Sequence, residues 1–400
     1  KVVVRWPNGL EQTFGKVPTN QFVRLTYQNG ADDAGVATDW FALAGTMVQR
    51  TPGFSPPVAS RALGYLGVTL YEAVRPGMAG YRSLAGQLNG LAPLPEPDSA
   101  DLHWPAVANS ALAGISRHLF GPASSENALS VAALEATYAR RYGAQLEPDV
   151  FRRSAEYGER VAEAVYAWSL TDGGEGGYAA VPVASKLAAA PGAWVPTPPD
   201  FGAALQPTWG DNRPFMAGDG CPVVPPLAYS EDPASAFYQE ALEVRRTVQT
   251  LTPEQREIAR FWSDSPLETA TPPGHWAAIT TSLLRGGGYD LGRAAEAYAK
   301  LGVAVADSFI ACWRDKYQYN VPRPITYIQK VIDPNWNLPE VTDPVVTPPF
   351  PEYPSGHSVQ SAAAALVLTD VFGELPFTDD THRMRGFAPR SYPSFWAAAE

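Results

Sequence analysis

Two short stretches of this chain carry side chains whose types and spacing could hold an oxyanion and move a proton beside it. In the first, Lys316 stands seven positions before Arg323, which sits between Pro322 and Pro324. In the second, Pro354-Ser355-Gly356-His357 opens an alanine-rich apolar run that reaches Phe372. With Ser355 as N-cap, the first-turn amides of Gly356, His357 and Ser358 point outward as donors, and the helix dipole adds positive potential there. His357 in that turn can reach a bound oxyanion and exchange a proton near neutral pH. The plainer alternatives are a lysine that snorkels to water from a helix end, an arginine that braces a loop, and an ordinary serine cap with an exposed histidine beside it.

Helices must position these groups. The run from Asp290, an apt N-cap after three glycines, carries an apolar stripe through Leu291, Ala294, Tyr298, Leu301, Val305, Phe309 and Trp313. Continued by three and four residues, the same stripe reaches Lys316 and then Asn320. A lysine on the buried side is costly unless an anion meets it. Val321-Pro322-Arg323-Pro324 ends the helix, because the residue before a proline is pushed out of the α region, and this fixes Arg323 near the same face. Residues 347–357, TPPFPEYPSGH, form a rigid loop into the second stretch.

The rest of the chain reads as more helix. Leu63, Leu66, Leu70, Tyr71 and Val74 keep three- and four-residue spacing up to Pro76-Gly77, and similar patterns cover about 105–119, 126–142, 150–170, 233–263 and 272–285. The final stretch, SYPSFWAAAE, opens like a helix with Pro393 early in it. Residues 1–50 read as an irregular arm. A Pro/Gly-rich connection within 171–232 divides a helical region at 51–232 from a catalytic bundle at 233–400. Strand alternation is scarce, so the expected fold is all-α, helical bundles with long Pro/Gly-rich loops.

Composition narrows the function. The chain has 400 residues, 45% hydrophobic, with no apolar run near the roughly 18 residues a membrane span needs. A net charge of -11 without a Lys/Arg cluster argues against nucleic acid and anionic membranes as partners. Two cysteines, Cys221 and Cys312, exclude a disulfide scaffold and a cysteine-built zinc site; they could pair or stay free. His275, in TPPGHWAAI, reads as a structural residue opening a helix, with a place near the pocket rim as the alternative, and His103, His118 and His382 show no metal-ligand spacing. TDGGEGGY at 171–178 lacks the Lys-Ser/Thr of a phosphate loop.

In order, K-x6-R-P at Lys316 to Pro324 and P-S-G-H at Pro354 to His357 resemble the first two of three motifs of the type-2 phosphatidic-acid-phosphatase and vanadium-haloperoxidase superfamily. ADSFIAC, W-x-x-K from Trp313, PPFPEYPSGH, FWSDSP and TPPG look like vanadium-dependent chloroperoxidase over roughly 252–400. The resemblance implies a vanadate cofactor whose oxygens are held by Lys316, Arg323, Ser355 and the Gly356 amide. It implies Lys316 polarising a bound peroxide, His357 as the acid-base group, and Trp313 and Phe350 on the halide side. Asp264 matches an acid that orients an arginine of the third motif.

That third motif, S-R-x-x-x-G-x-H, is absent from these residues. The expectation is therefore that the natural chain continues past Glu400 and that the vanadium-ligating histidine lies there, with no direct metal ligand before it. The implied substrates are hydrogen peroxide, a halide and an organic acceptor, and secretion or periplasmic export suits a peroxide-using enzyme. Two alternatives stand beside this reading. One is an acid phosphatase using the same cage, since vanadate mimics the transition state of phosphate-ester hydrolysis. The other is a non-catalytic oxyanion-binding helical protein, if the chain ends at Glu400.

Overall fold

The longest helix, α9 (Leu291–Tyr319), is the beam on which the molecule is assembled. Asp290 caps it by accepting the Arg293 amide, and it stops at Asn320, whose left-handed backbone sends its own amide to the Lys316 carbonyl. Every member of the expected stripe, from Leu291 to Trp313, is buried, and Lys316 with them. This computed structural model describes residues 2–5, 11–14, 34–180, 190–216, 224–337 and 344–400. Cys221 lies outside the described residues, whereas Cys312 is a buried thiol on α9.

Against α9 lies α2 (Pro56–Val74), which is buried along nearly its whole length. The two backbones meet through glycines: a Cβ on Gly67 would stand 2.5 Å from the Tyr298 carbonyl oxygen, and one on Gly302 2.8 Å from that of Leu63. Around this pair pack α3 (Trp104–Leu119) with α4 (Ser125–Gly143) and α5 (Pro148–Ser169), and, on the other side, α1 (Gly35–Arg50) with α8 (Thr271–Gly287). Residues 35–50, expected within an irregular arm, are thus a correction: Trp40, Phe41, Ala44, Met47 and Val48 make a helical stripe buried in the core, with the Phe41 ring stacked 3.6 Å from that of Tyr298.

The expected helical stretch at 233–263 is two helices, α6 (Ala236–Thr250) and α7 (Pro253–Phe261), broken where Thr252 and Gln255 form a capping box ahead of Pro253. α11 (Gly356–Phe372) lies on α9 and carries α12 (Phe395–Ala399) on its outer side. Pro393 falls outside α12, a second correction, because Ser394 caps that helix and residues before it run extended. There β4 (Arg390–Tyr392) pairs antiparallel with β3 (Phe377–Asp379); β1 (Val2–Arg5) and β2 (Glu11–Phe14) form the other short ladder.

The main apolar core draws on helices either side of the Pro/Gly-rich connection, from Ala34 to Phe395. A smaller cluster of Ala241, Ile325, Tyr327, Ile328 and Trp336 seats α10 (Pro324–Tyr327) against α6, and so fixes the chain just after Arg323. No helix among the described residues is long and apolar enough to cross a membrane.

Candidate active site

Lys316 solves its burial with backbone carbonyls. It is 1% exposed, and its ammonium donates to the Pro351 and Glu352 oxygens at 2.9 Å each, which leaves one N-H unspent. Burial pushes its pKa down to about 8, and the nearby Arg323 charge acts the same way. Arg323 arrives from the segment after α9, donating to the Glu352 carboxylate and, at 3.3 Å, to the Pro348 carbonyl. Its buried Nε meets no acceptor. Both cations flank the Phe350 ring, Lys316 Nζ at 5.0 Å and the Arg323 guanidinium at 4.6 Å from its centre.

The loop that supplies those carbonyls ends at the N-terminus of α11. Ser355 caps the helix by accepting the Ser358 amide, so its hydroxyl proton stays free to donate outward. The Gly356 and His357 amides, first in the helix, have no intrahelical acceptor. A Cβ at Gly356 would make ordinary contact with Trp313 at 3.6 Å and Phe309 at 3.9 Å, beside the cavity. His357 opens onto the cavity with its side chain exposed there; desolvation by the surrounding walls lowers its pKa from the ordinary value, against the raising effects of Asp264 and of a hydrogen bond to the Trp262 backbone.

These pieces surround one cavity of about 290 Å³. Lys316, Arg323, Ser355, Gly356, His357, Trp313, Phe350 and Asp264, all singled out in the sequence, line it together. Phe309, Phe350 and Trp313 make an apolar wall, with Trp313 and Phe350 rings 5.0 Å apart and the Trp313 indole tied to the Leu205 carbonyl.

Sequence reasoning missed Glu352, the partner of Arg323, and the histidines behind Asp264. The sequence reads His275 as structural, with the pocket rim as its alternative, and marks nothing at His382, yet the fold brings both to Asp264. His275 Nδ1 lies 2.8 Å from Asp264 Oδ2 and His382 Nε2 3.0 Å from Oδ1. Burial pulls the Asp264 pKa up, but the charge and hydrogen bond of His275 outweigh it and hold the carboxyl below its usual range. His275 does open α8, as expected, and it is buried rather than at the cavity rim. The nearest sequence signal was the shared aromatic setting, FW before Asp264 and W after His275; nothing local marked His382. His103 caps α3, and His118 pairs with Glu163 on the surface.

The unspent donors are the third Lys316 N-H, Arg323 Nε, the Ser355 hydroxyl and the two α11 amides. They are cationic or neutral donors converging from α9, the segment after it and α11, and this set fits the oxygens of an oxyanion such as vanadate. Fold and cage together define an all-α protein with a buried site suited to an oxyanion. A family profile described as the VCPO second helical-bundle domain matches residues 296–394. The solved structure of a bacterial vanadium-dependent iodoperoxidase is 36% identical, with a TM-score of 0.82, over 92% of this chain and 88% of that one. A holo-type bacterial vanadium-dependent chloroperoxidase shares the fold at a TM-score of 0.59 and 15% identity, over 88% of this chain and 86% of that one. No curated protein matches. The chain belongs to the vanadium-dependent haloperoxidases, peroxidase-class enzymes with vanadate as cofactor.

Proposed function

We propose that the cavity beneath α11 holds vanadate and catalyses the oxidation of iodide, in preference to bromide and chloride, by hydrogen peroxide. The observation that carries this reading is the convergence of Lys316, Arg323 and the α11 N-terminus on one cavity with unspent donors. Lys316, Arg323, Ser355 and the Gly356 amide hold the anion's oxygens, and His357 is the proton carrier. Bound vanadate supplies a Lewis-acidic centre that activates peroxide toward the halide.

The protein's own share is electrostatic and protonic. The donors are fixed before the anion arrives, so little reorganisation is needed when charge shifts among its oxygens. His357 would take a proton from entering hydrogen peroxide and give it up to the water that leaves. The balance is one halide ion, one hydrogen peroxide and one proton in, and one hypohalous acid and one water out. The aromatic wall of Trp313, Phe309 and Phe350 supports iodide, because the largest and least hydrated halide loses least on leaving water. The similarity to an iodoperoxidase supports the same choice.

Steady-state halide oxidation by the full-length protein, with and without orthovanadate, tests the reading. His357→Ala should lower kcat by about 10²- to 10⁴-fold, the usual worth of a general acid-base group, with orthovanadate binding largely kept. Vanadate-independent turnover, or full activity in His357→Ala, would overturn it. A kcat/KM no higher for iodide than for bromide would overturn the halide choice alone.

A further inference from the structure

Behind Asp264, on the side away from the cavity, buried titratable groups take no part in the chemistry above. His275 stands between two carboxylates, its Nδ1 2.8 Å from Asp264 Oδ2 and its Nε2 2.8 Å from Asp379 Oδ2. All three side chains are at most 2% exposed. An ionised carboxylate can only accept, so each ring nitrogen must carry a hydrogen and the ring is an imidazolium. Burial works against that charge and the two carboxylates more than restore it, raising the His275 pKa to about 9.

The elements that hold this ring differ from those that build the cage. His275 lies in the first turns of α8, Asp379 ends β3, and Asp264 sits in the loop after α7 with a left-handed backbone, φ +47°. The Trp262 ring stacks on His275 at 4.5 Å, and Phe261 packs edge-on to His382 at 4.9 Å. Asp264, His275 and His382 have the make-up of a cation site, with ligand atoms within 4.8 Å of one another. A metal ligand needs a free lone pair, however, and both nitrogens of His275 are committed as donors. Charge is the better account of the cluster. Asp264 alone lines the cavity, where a bare carboxylate would repel an anion.

We propose that His275 is a positioning residue of the oxyanion site, an imidazolium seated by Asp379 that fixes the Asp264 carboxylate at the cavity wall and offsets its charge beside the bound anion. This rests on the oxyanion reading of the cavity. Asp264 then acts on the site as an oriented dipolar pair rather than a free anion. The titratable groups that face His275 are Asp264, Asp379, His382, whose ring centre lies 4.5 Å from its own, and, on the cavity side, His357, which feels its charge.

The test is calorimetric titration of orthovanadate, and of inorganic phosphate as a redox-inert analogue, into full-length wild-type protein, His275→Gln and Asp379→Asn, with melting temperatures measured alongside. His275→Gln should weaken both anions by roughly 10- to 100-fold, the usual cost of losing a group that supports a binding shell. Asp379→Asn lies outside the cavity and keeps the side chain's shape. It should bind like wild type near neutral pH and lose affinity at a lower alkaline pH, because one carboxylate instead of two then holds the imidazolium charged. A purely structural role predicts lower melting temperatures in both variants with the wild-type affinity and the wild-type pH profile, and that result would overturn the inference. Failure of the wild type to bind either anion would remove the oxyanion reading, and this inference with it.

Discussion

At the scale of a residue, Lys316 shows how the site is tuned. Its two carbonyl partners satisfy the ammonium without neutralising it, so the charge remains for an anion, while burial lowers its pKa to about 8. A hydrogen bond from a charged group contributes about 1.5–3 kcal/mol. Lys316→Met should therefore weaken orthovanadate binding roughly 10- to 150-fold at neutral pH. Because the pKa is lowered, the cation is present below about pH 8 and lost above it. Wild-type affinity should hold steady up to that pH and fall beyond it, and the fall should be smaller in Lys316→Met. A titration series showing constant wild-type affinity well into the alkaline range would refute this role for the ammonium. Arginine is no substitute here, since a planar guanidinium does not fit a 1% exposed slot shaped around a point charge beside Phe350.

Among the elements, α2 and α9 meet backbone to backbone, and that contact depends on glycine. A methyl group at Gly67 would press on the Tyr298 carbonyl, which is backbone and cannot swing aside. Gly67→Ala should cost about 1–3 kcal/mol as overpacking and lower the melting temperature by several degrees in a thermal scan. The α7 loop, α8 and β3 are joined instead by the His275 ion pairs. Its folded pKa of about 9 lies above the ordinary value of about 6.5. That stabilisation is full below pH 6.5, is eroded up to about pH 9, and is gone above it. The melting temperature should thus fall across this window in wild type, with a shallower fall in His275→Gln; identical slopes would count against a charged His275. α9 and α11 were legible because an apolar stripe, a capping Asp or Ser, and a proline or glycine stop all agree there. Helix α1 carries such a stripe too, but the alternating segments before it drew the reading toward an irregular arm. The carbonyls that hold Lys316 lie 35 and 36 positions away and are backbone atoms, which no residue type announces. Asp379 and His382 stand more than a hundred positions from their partners, so only the tertiary fold reveals them.

Over the whole molecule, a chain of net charge -11 has no general basic field to draw an anionic cofactor, yet it brings Lys316, Arg323 and a helix N-terminus together at one cavity. That cavity is built from α9, the loop after it and α11, while the core beneath them is continuous from Ala34 to Phe395. The outermost anchor is Phe395, fully buried and stacked on Phe377 at 5.2 Å, which presses α12 onto α11. A continuous core favours one cooperative transition over separate melting of the two sides of the Pro/Gly-rich connection. A ligand that binds only the folded state adds about 2.7 kcal/mol at one hundred times its Kd, and in a one-transition molecule that gain raises the melting of every helix together. Scanning calorimetry of the full-length protein with saturating orthovanadate should show a single peak moved upward as a whole. Phe395→Ala should lower that peak by the equivalent of about 3–5 kcal/mol, still as one transition. Two peaks, of which vanadate moves only the later-sequence half, would mean that the core across the connection does not couple the two sides, and that the oxyanion site is supported by the C-terminal bundle alone.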